Sequence, residues 1–267
     1  MAYPDKPQDP QLPVHHWCEA GVGYLRFHRP QALNAIDIPL AEAFLAACQD
    51  FRHDPQLRVL WVSGEGRAFM AGGDIPAMRT DPQAVAGTII DAVHDGLRLL
   101  AELPVPVVAS VHGAVAGGGL GIVLGCDLVV AADNTKFALA YPLIGASCDC
   151  STSWGLPRIV GLRKALELAF LADPLDAAEA LRLGIVNRVV PLDALADETA
   201  RLVQRLASGP TLALGRLKRL MRDSLGNSLS QQLDAEKADF LAVAATRDFD
   251  EGTAAFVAKR KAVFEGR

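Results

Sequence analysis

Residues 21–29 alternate and are rich in Val, Tyr, Leu and Phe, a pattern that predicts a strand. From residue 37 the period lengthens. Ile38, Leu40, Ala41, Phe44, Leu45 and Cys48 share one face of a helix running to residue 51. Residues 57–63 are nearly all apolar, the pattern of a strand buried on both faces. A long helix is expected over 85–103, stopped by Pro104 and Pro106. A third buried strand follows at 107–111, then a helix entered through glycines at 117–124 and a short strand at 128–132. This alternation to about residue 145 predicts an α/β core of parallel strands. Beyond it helical periods dominate, at 162–171, 176–183, 192–207, 211–225, 229–246 and 249–264, with strand character only at 185–190. Asp176 is a candidate N-cap and Gly184 a stop signal. The expected organisation is a disordered leader over 1–13, a core over 14–191 and a helical C-terminal region over 192–267.

Composition supports a sizeable core. Of the 267 residues, 51% are hydrophobic and 21% charged, which argues against global disorder. The net charge of −5 argues against a nucleic-acid partner. No apolar run approaches the length of a membrane span. The Pro-, Gln- and Asp-rich start lacks the basic and apolar stretches of a signal peptide, so a cytoplasmic protein is expected. Five cysteines without CxxC spacing argue against a disulfide framework and against a zinc site, and no metal is expected.

Two glycine-containing segments carry the candidate chemistry. GRAFMAGGDI at 66–75 follows the strand at 57–63, and HGAVAGGGLG at 112–121 follows the strand at 107–111 and opens a helix. Turns after neighbouring parallel strands lie at one edge of a sheet, where ligands bind. Glycine permits close backbone approach, and successive free N–H groups with a helix N-terminus can hold an oxyanion. Tight turns packed against neighbours would use the same glycines. The spacing is not the dinucleotide-binding fingerprint.

The chain resembles the enoyl-CoA hydratase/isomerase (crotonase-like) superfamily. The matching stretches are RPQALNA at 29–35, AFMAGGDI at 68–75, AGGGLG at 116–121, CDL at 126–128, LPRIVG at 156–161, AAEALRLGIV at 177–186 and AFVAKRK at 255–261. The resemblance runs from about residue 17 to 264 and implies an α/β fold, a spiral of ββα turns with a helical C-terminal trimerisation region. It implies a homotrimer, often paired into a hexamer. The backbone N–H groups of Gly73 and Gly118 become the oxyanion hole. Coenzyme A, as part of the thioester substrate rather than a cofactor, is placed along Arg29, Ala32, Leu33 and Ala35 and along Ala71, Gly73, Asp74 and Ile75. Phe256 and Lys259 lie near the nucleotide end, often from an adjacent subunit. A basic helix end complementing its dipole is the plainer account of Lys259 and its neighbours.

The reaction turns on the acid–base groups. A hydratase of this family carries two glutamates, and the matching positions here are Gly121 and Tyr141. That argues against hydration by the usual route. A single carboxylate, Asp149 in SCDCSTSW at 147–154, resembles the lone acid of enoyl-CoA isomerases. One carboxylate suffices to move a proton between two carbons. Asp149 is also a candidate N-cap for the residues that follow. His94 has the spacing of a histidine in 4-chlorobenzoyl-CoA dehalogenase, whose aspartate matches Asp149, but a surface or pocket-lining histidine is the plainer account of its helix position. Tyr141 is expected to form a pocket wall, with a hydrogen bond to Asp149 open to it. Asp74 is expected to order its turn. The leading expectation is double-bond isomerisation through a bound enolate. The alternatives are a hydratase with unusual acid–base groups, a hydrolytic dehalogenase and a non-catalytic CoA-binding scaffold.

Overall fold

The computed structural model describes residues 9–79 and 81–267. The expected leader over 1–13 therefore falls mostly outside the described residues. Its last part is tied down where His28 N–H donates to the Pro13 carbonyl across 2.8 Å.

The elements, in chain order, begin with β1 (Val14–Glu19), β2 (Val22–Phe27), α1 (Ile38–His53), β3 (Val59–Gly64), α2 (Ile75–Met78) and α3 (Pro82–Glu102). β4 (Val107–Val111), β5 (Ala114–Ala116), α4 (Gly118–Gly125), β6 (Leu128–Ala132) and β7 (Lys136–Ala138) follow. Then come α5 (Thr152–Val160), α6 (Leu162–Leu171), β8 (Leu175–Asp176), α7 (Ala177–Arg182), β9 (Arg188–Val190), α8 (Leu195–Ala207), α9 (Thr211–Asp223), α10 (Leu229–Ala244) and α11 (Arg247–Val257).

A six-stranded sheet has the order β1-β2-β3-β4-β6-β9, parallel except for the antiparallel β1–β2 pair. A smaller sheet, β5-β7-β8, lies beside it. Single bridges at Ile36–Gly73 and Met70–Val115 form two further short pairings. Successive turns thus read β4–β5–α4 and β6–β7–α5, while the turn from β3 to α3 keeps only the bridges at Met70 and Gly73. This is the expected ββα spiral.

The strands at its centre are apolar on both faces because both are covered. Every residue of β3 and β4 is buried. Leu60, Val62, Val107 and Ala109 join the main core with α1 and α3. Val59, Trp61 and Val108 pack with Val203 and Ala207 of α8 on the opposite face. Trp61 satisfies its buried Nε1–H on Ser110 Oγ, 2.8 Å away. The C-terminal helical region thus begins by completing the core. α9 is anchored by Lys218, which donates to the carbonyls of Leu100 and Val105 and pairs with Asp127 at 3.0 Å. Arg222 meets the same carboxylate at 2.6 Å.

Three differences from the sequence expectation stand out. β1 was hidden by its polar composition, VHHWCE. α5 is absent from the expected helices except as the run for which Asp149 is a candidate cap, and its N-cap is instead Ser151, the second of two non-glycine residues in the left-handed region, Cys150 and Ser151. The helix expected over 249–264 stops at Val257. Lys259 turns to φ 51°, and the tail folds back where Glu251 receives both Arg260 guanidinium nitrogens, at 2.6 and 2.7 Å. Asp248 accepts the N–H groups of Glu265 and Gly266.

Candidate active site

The two glycine turns emerge from the carboxyl ends of β3 and β4 and meet. Gly72 and Gly117 pack backbone to backbone, so that a Cβ on Gly72 would lie 3.2 Å from the Ala116 carbonyl oxygen. The first turn is held by the segment before α1. Buried Asn34 accepts the Arg29 N–H and turns its amide toward the carbonyls of Glu65, Ala68 and Phe69, at 2.9–3.0 Å. Ala71 N–H donates to the Leu33 carbonyl, and Ala35 N–H to the Ala32 carbonyl. Arg29 bridges Asp74 at 2.8 Å and Asp37 at 3.2 Å and donates to the Ala35 carbonyl. Asp74 caps α2 by accepting the Ala77 N–H. Burial opposes its charge, but the hydrogen bonds from Arg29 and Ala77 and the Arg29 charge outweigh it and hold the carboxyl below its ordinary range. Asp74 therefore orders its turn, as expected.

At this edge lies a cavity of about 920 Å³. Gly73, Gly117 and Gly118 form one wall, and Tyr141, Cys148, Asp149 and Cys150 another. Ile36, Ile75, Met78, Ile89, Leu139 and Ile144 make most of the remainder apolar, with Gln83 and Ser147 as polar lining. Ala86, Ile90 and His94 present one face of α3 at helical spacing to it. The N–H groups of Gly73 and Gly118 have no partner among the described residues. Gly118 is the first residue of α4, where a helix leaves its N–H unused.

Asp149 is the only carboxylate lining this cavity among the described residues. Tyr141 donates its hydroxyl to Asp149 Oδ1 across 2.6 Å, with Thr152 Oγ1 3.5 Å from the same hydroxyl. Burial, then the charge and hydrogen bonding of Asp149, push the Tyr141 hydroxyl well above its ordinary range, so the phenol stays protonated. Burial and Asp149 likewise push up the Cys150 thiol, which disfavours the thiolate that a nucleophile requires. The Asp149 side chain does not cap α5. The N-cap position is Ser151, without a side-chain cap bond. His94 Nε2 accepts the Cys150 N–H at 3.1 Å. Neither Thr152 nor the Cys150 contact of His94 was foreseen.

The arrangement also shows why position 121 is glycine. A Cβ there would fall 2.1 Å from the Cys150 carbonyl oxygen, so the Asp149 turn occupies the space a side chain would need.

Of the candidate CoA contacts, Ala71, Gly73 and Ile75 line the cavity. Arg29, Ala32, Leu33, Ala35 and Asp74 are not among its lining residues; they belong to the hydrogen-bonded segments that hold the Gly73 turn. Phe256 and Lys259 are not among its lining residues, and Phe256 at the end of α11 is 85% exposed.

The model of the family described as enoyl-CoA hydratase/isomerase matches residues 18–267. The chain belongs to that family. It is 37% identical over 254 residues to the 1,2-epoxyphenylacetyl-CoA isomerase of Escherichia coli, covering 93% of this chain and 97% of that one. It is 31% identical to the trans-2-decenoyl-[acyl-carrier-protein] isomerase of Streptococcus mutans, covering 92% and 95%. A Mycobacterium abscessus crystal structure, described provisionally as an enoyl-CoA hydratase/isomerase, superposes with a TM-score of 0.92 at 34% identity, covering 95% of this chain and all of that one. The fold is therefore the crotonase fold, and the chain is an enzyme of the enoyl-CoA hydratase/isomerase family. No helix among the described residues is long and apolar enough to cross a membrane.

Proposed function

We propose that this family member isomerises the double bond of an enoyl-CoA thioester, with Asp149 carrying the proton. The observation that carries this reading is the pairing of one carboxylate with two unused N–H donors around one apolar cavity. The Asp149 carboxylate removes a proton from the carbon beside the thioester carbonyl of a 3-enoyl group. The electrons move onto the carbonyl oxygen, which the Gly73 and Gly118 N–H groups receive as it becomes an oxyanion. The protonated Asp149 then returns the proton two carbons further along, leaving a 2-enoyl thioester. No external oxidant, metal or cofactor is required. Tyr141 keeps the carboxylate oriented through its 2.6 Å bond.

In this reading, coenzyme A runs past Arg29–Ala35 and Ala71–Ile75. Phe256 and Lys259 reach the nucleotide end of a site in the same or an adjacent subunit. Self-association as a homotrimer or hexamer is supported by large apolar side chains left exposed on the chain, among them Met221, Phe240, Leu241 and Val257. Light scattering at micromolar concentration tests the assembly, and a monomer contradicts it.

The reaction is tested by incubating 3-enoyl-CoA and 2-enoyl-CoA substrates and identifying products by mass spectrometry and NMR. Isomerisation without gain of water supports the proposal. Exclusive formation of a hydroxyacyl product, or no change across acyl lengths, contradicts it.

A further inference from the structure

The carboxylate of Asp149 stands on an unusual piece of backbone. Cys150 and Ser151, the next two residues, have φ of 47° and 62°. Neither is glycine, and such residues persist only where their surroundings over-determine them. Two contacts do so here. On one side Gly121 of α4 lets the Cys150 carbonyl approach to a distance that no side chain would allow. On the other, the Cys150 N–H is taken up by a side chain from a different element, His94 of α3, whose Nε2 lies 3.1 Å away. Without that acceptor, this N–H has no other partner among the described residues.

We propose that His94 is a positioning residue, which holds the Asp149 turn through an unprotonated Nε2 and works as the neutral Nδ1–H tautomer. The inference rests on Asp149 being the proton-transferring group. A ring nitrogen accepting a backbone N–H carries no hydrogen of its own, so the bond fixes the tautomer. The same bond occupies the lone pair that a base would need. His94 therefore acts through the turn and not on the substrate, even though it lines the cavity. Losing the bond frees two residues to leave the left-handed region and swings the carboxylate away from the carbon it serves. Small displacements of a reacting group are costly in rate and cheap in binding.

Two measurements test this. In wild-type protein labelled with ¹⁵N at its six histidines, long-range ¹H–¹⁵N spectra report which ring nitrogen is protonated. His94 is assigned by the signal missing from His94→Gln. The expected pattern is Nδ1–H with Nε2 bare; an Nε2–H or doubly protonated ring at neutral pH overturns the proposal whatever the activity. In kinetics, His94→Gln puts a carbonyl oxygen near the place of Nε2 and should keep kcat within about threefold. His94→Leu removes the acceptor and should lower kcat by about tenfold to a hundredfold, with KM changed far less. Equal losses in both variants would assign His94 a proton-transfer role instead, and full activity in His94→Leu would remove it from the site. If Asp149→Asn retains turnover, the isomerase reading fails, while the ¹⁵N result still decides the His94 bond.

Discussion

The Tyr141 hydroxyl donates to Asp149 Oδ1 across 2.6 Å, joining the short turn after β7 to the turn before α5. The bond spans eight residues of sequence and fixes which way the carboxylate faces. Because burial and the Asp149 charge keep the phenol protonated, the donor is present throughout the working pH range.

Tyr141→Phe removes only the hydroxyl. A hydrogen bond to a charged group is worth about 1.5–3 kcal/mol, so kcat on a 3-enoyl-CoA should fall about tenfold to a hundredfold, with KM little altered. Steady-state kinetics check this, and an unchanged kcat would make Tyr141 a pocket wall alone.

Gly118→Pro deletes one of the two N–H donors at a helix position where proline is otherwise tolerated. The Ile36 and Cys150 side chains, 3.0–3.1 Å from a Cβ built there, need give only slightly to admit the ring. Circular dichroism should show the fold retained, while turnover falls by about 10²–10³. Full turnover in the folded variant would remove Gly118 from the oxyanion hole.

Much of this site follows from rules that can be read in the chain. Two glycine turns after neighbouring buried strands must share a sheet edge, and the apolar runs at 107–111 and 128–132 coincide with β4 and β6. Asp176 caps α7 by accepting the Glu179 N–H, at its expected place. What escaped was tertiary. The bond between His94 and Cys150 joins residues 56 apart, and nothing in the SCDCSTSW stretch marks Cys150 and Ser151 for the left-handed region usually taken by glycine. The end of α11 escaped as well. Its apolar period continues past Val257, but the Glu251–Arg260 pair draws the tail back instead.

Asp74 offers a test of the loop that carries Gly73. Its carboxyl is held below the ordinary range in the folded protein, chiefly by Arg29. A group depressed on folding stabilises above its unfolded pKa, about 3.9, and loses that contribution as pH falls through the folded value. Asp74→Asn should therefore cost about 1–3 kcal/mol at pH 7, and the difference from wild type should shrink as pH drops below about 4. Denaturant melts at several pH values check the sign, and a constant difference would mean that the charge on Asp74 plays no part.

Deuterium wash-in at the carbon beside the thioester, followed with and without Asp149, bears most directly on the chemistry. The wild type should exchange that hydrogen in D₂O while converting a 3-enoyl-CoA to the 2-enoyl form. Asp149→Asn should lose exchange and conversion in parallel by about 10²–10⁴, while thioester binding measured by calorimetry changes little. Exchange and conversion that persist in the folded Asp149→Asn protein would contradict a proton carried by this carboxylate.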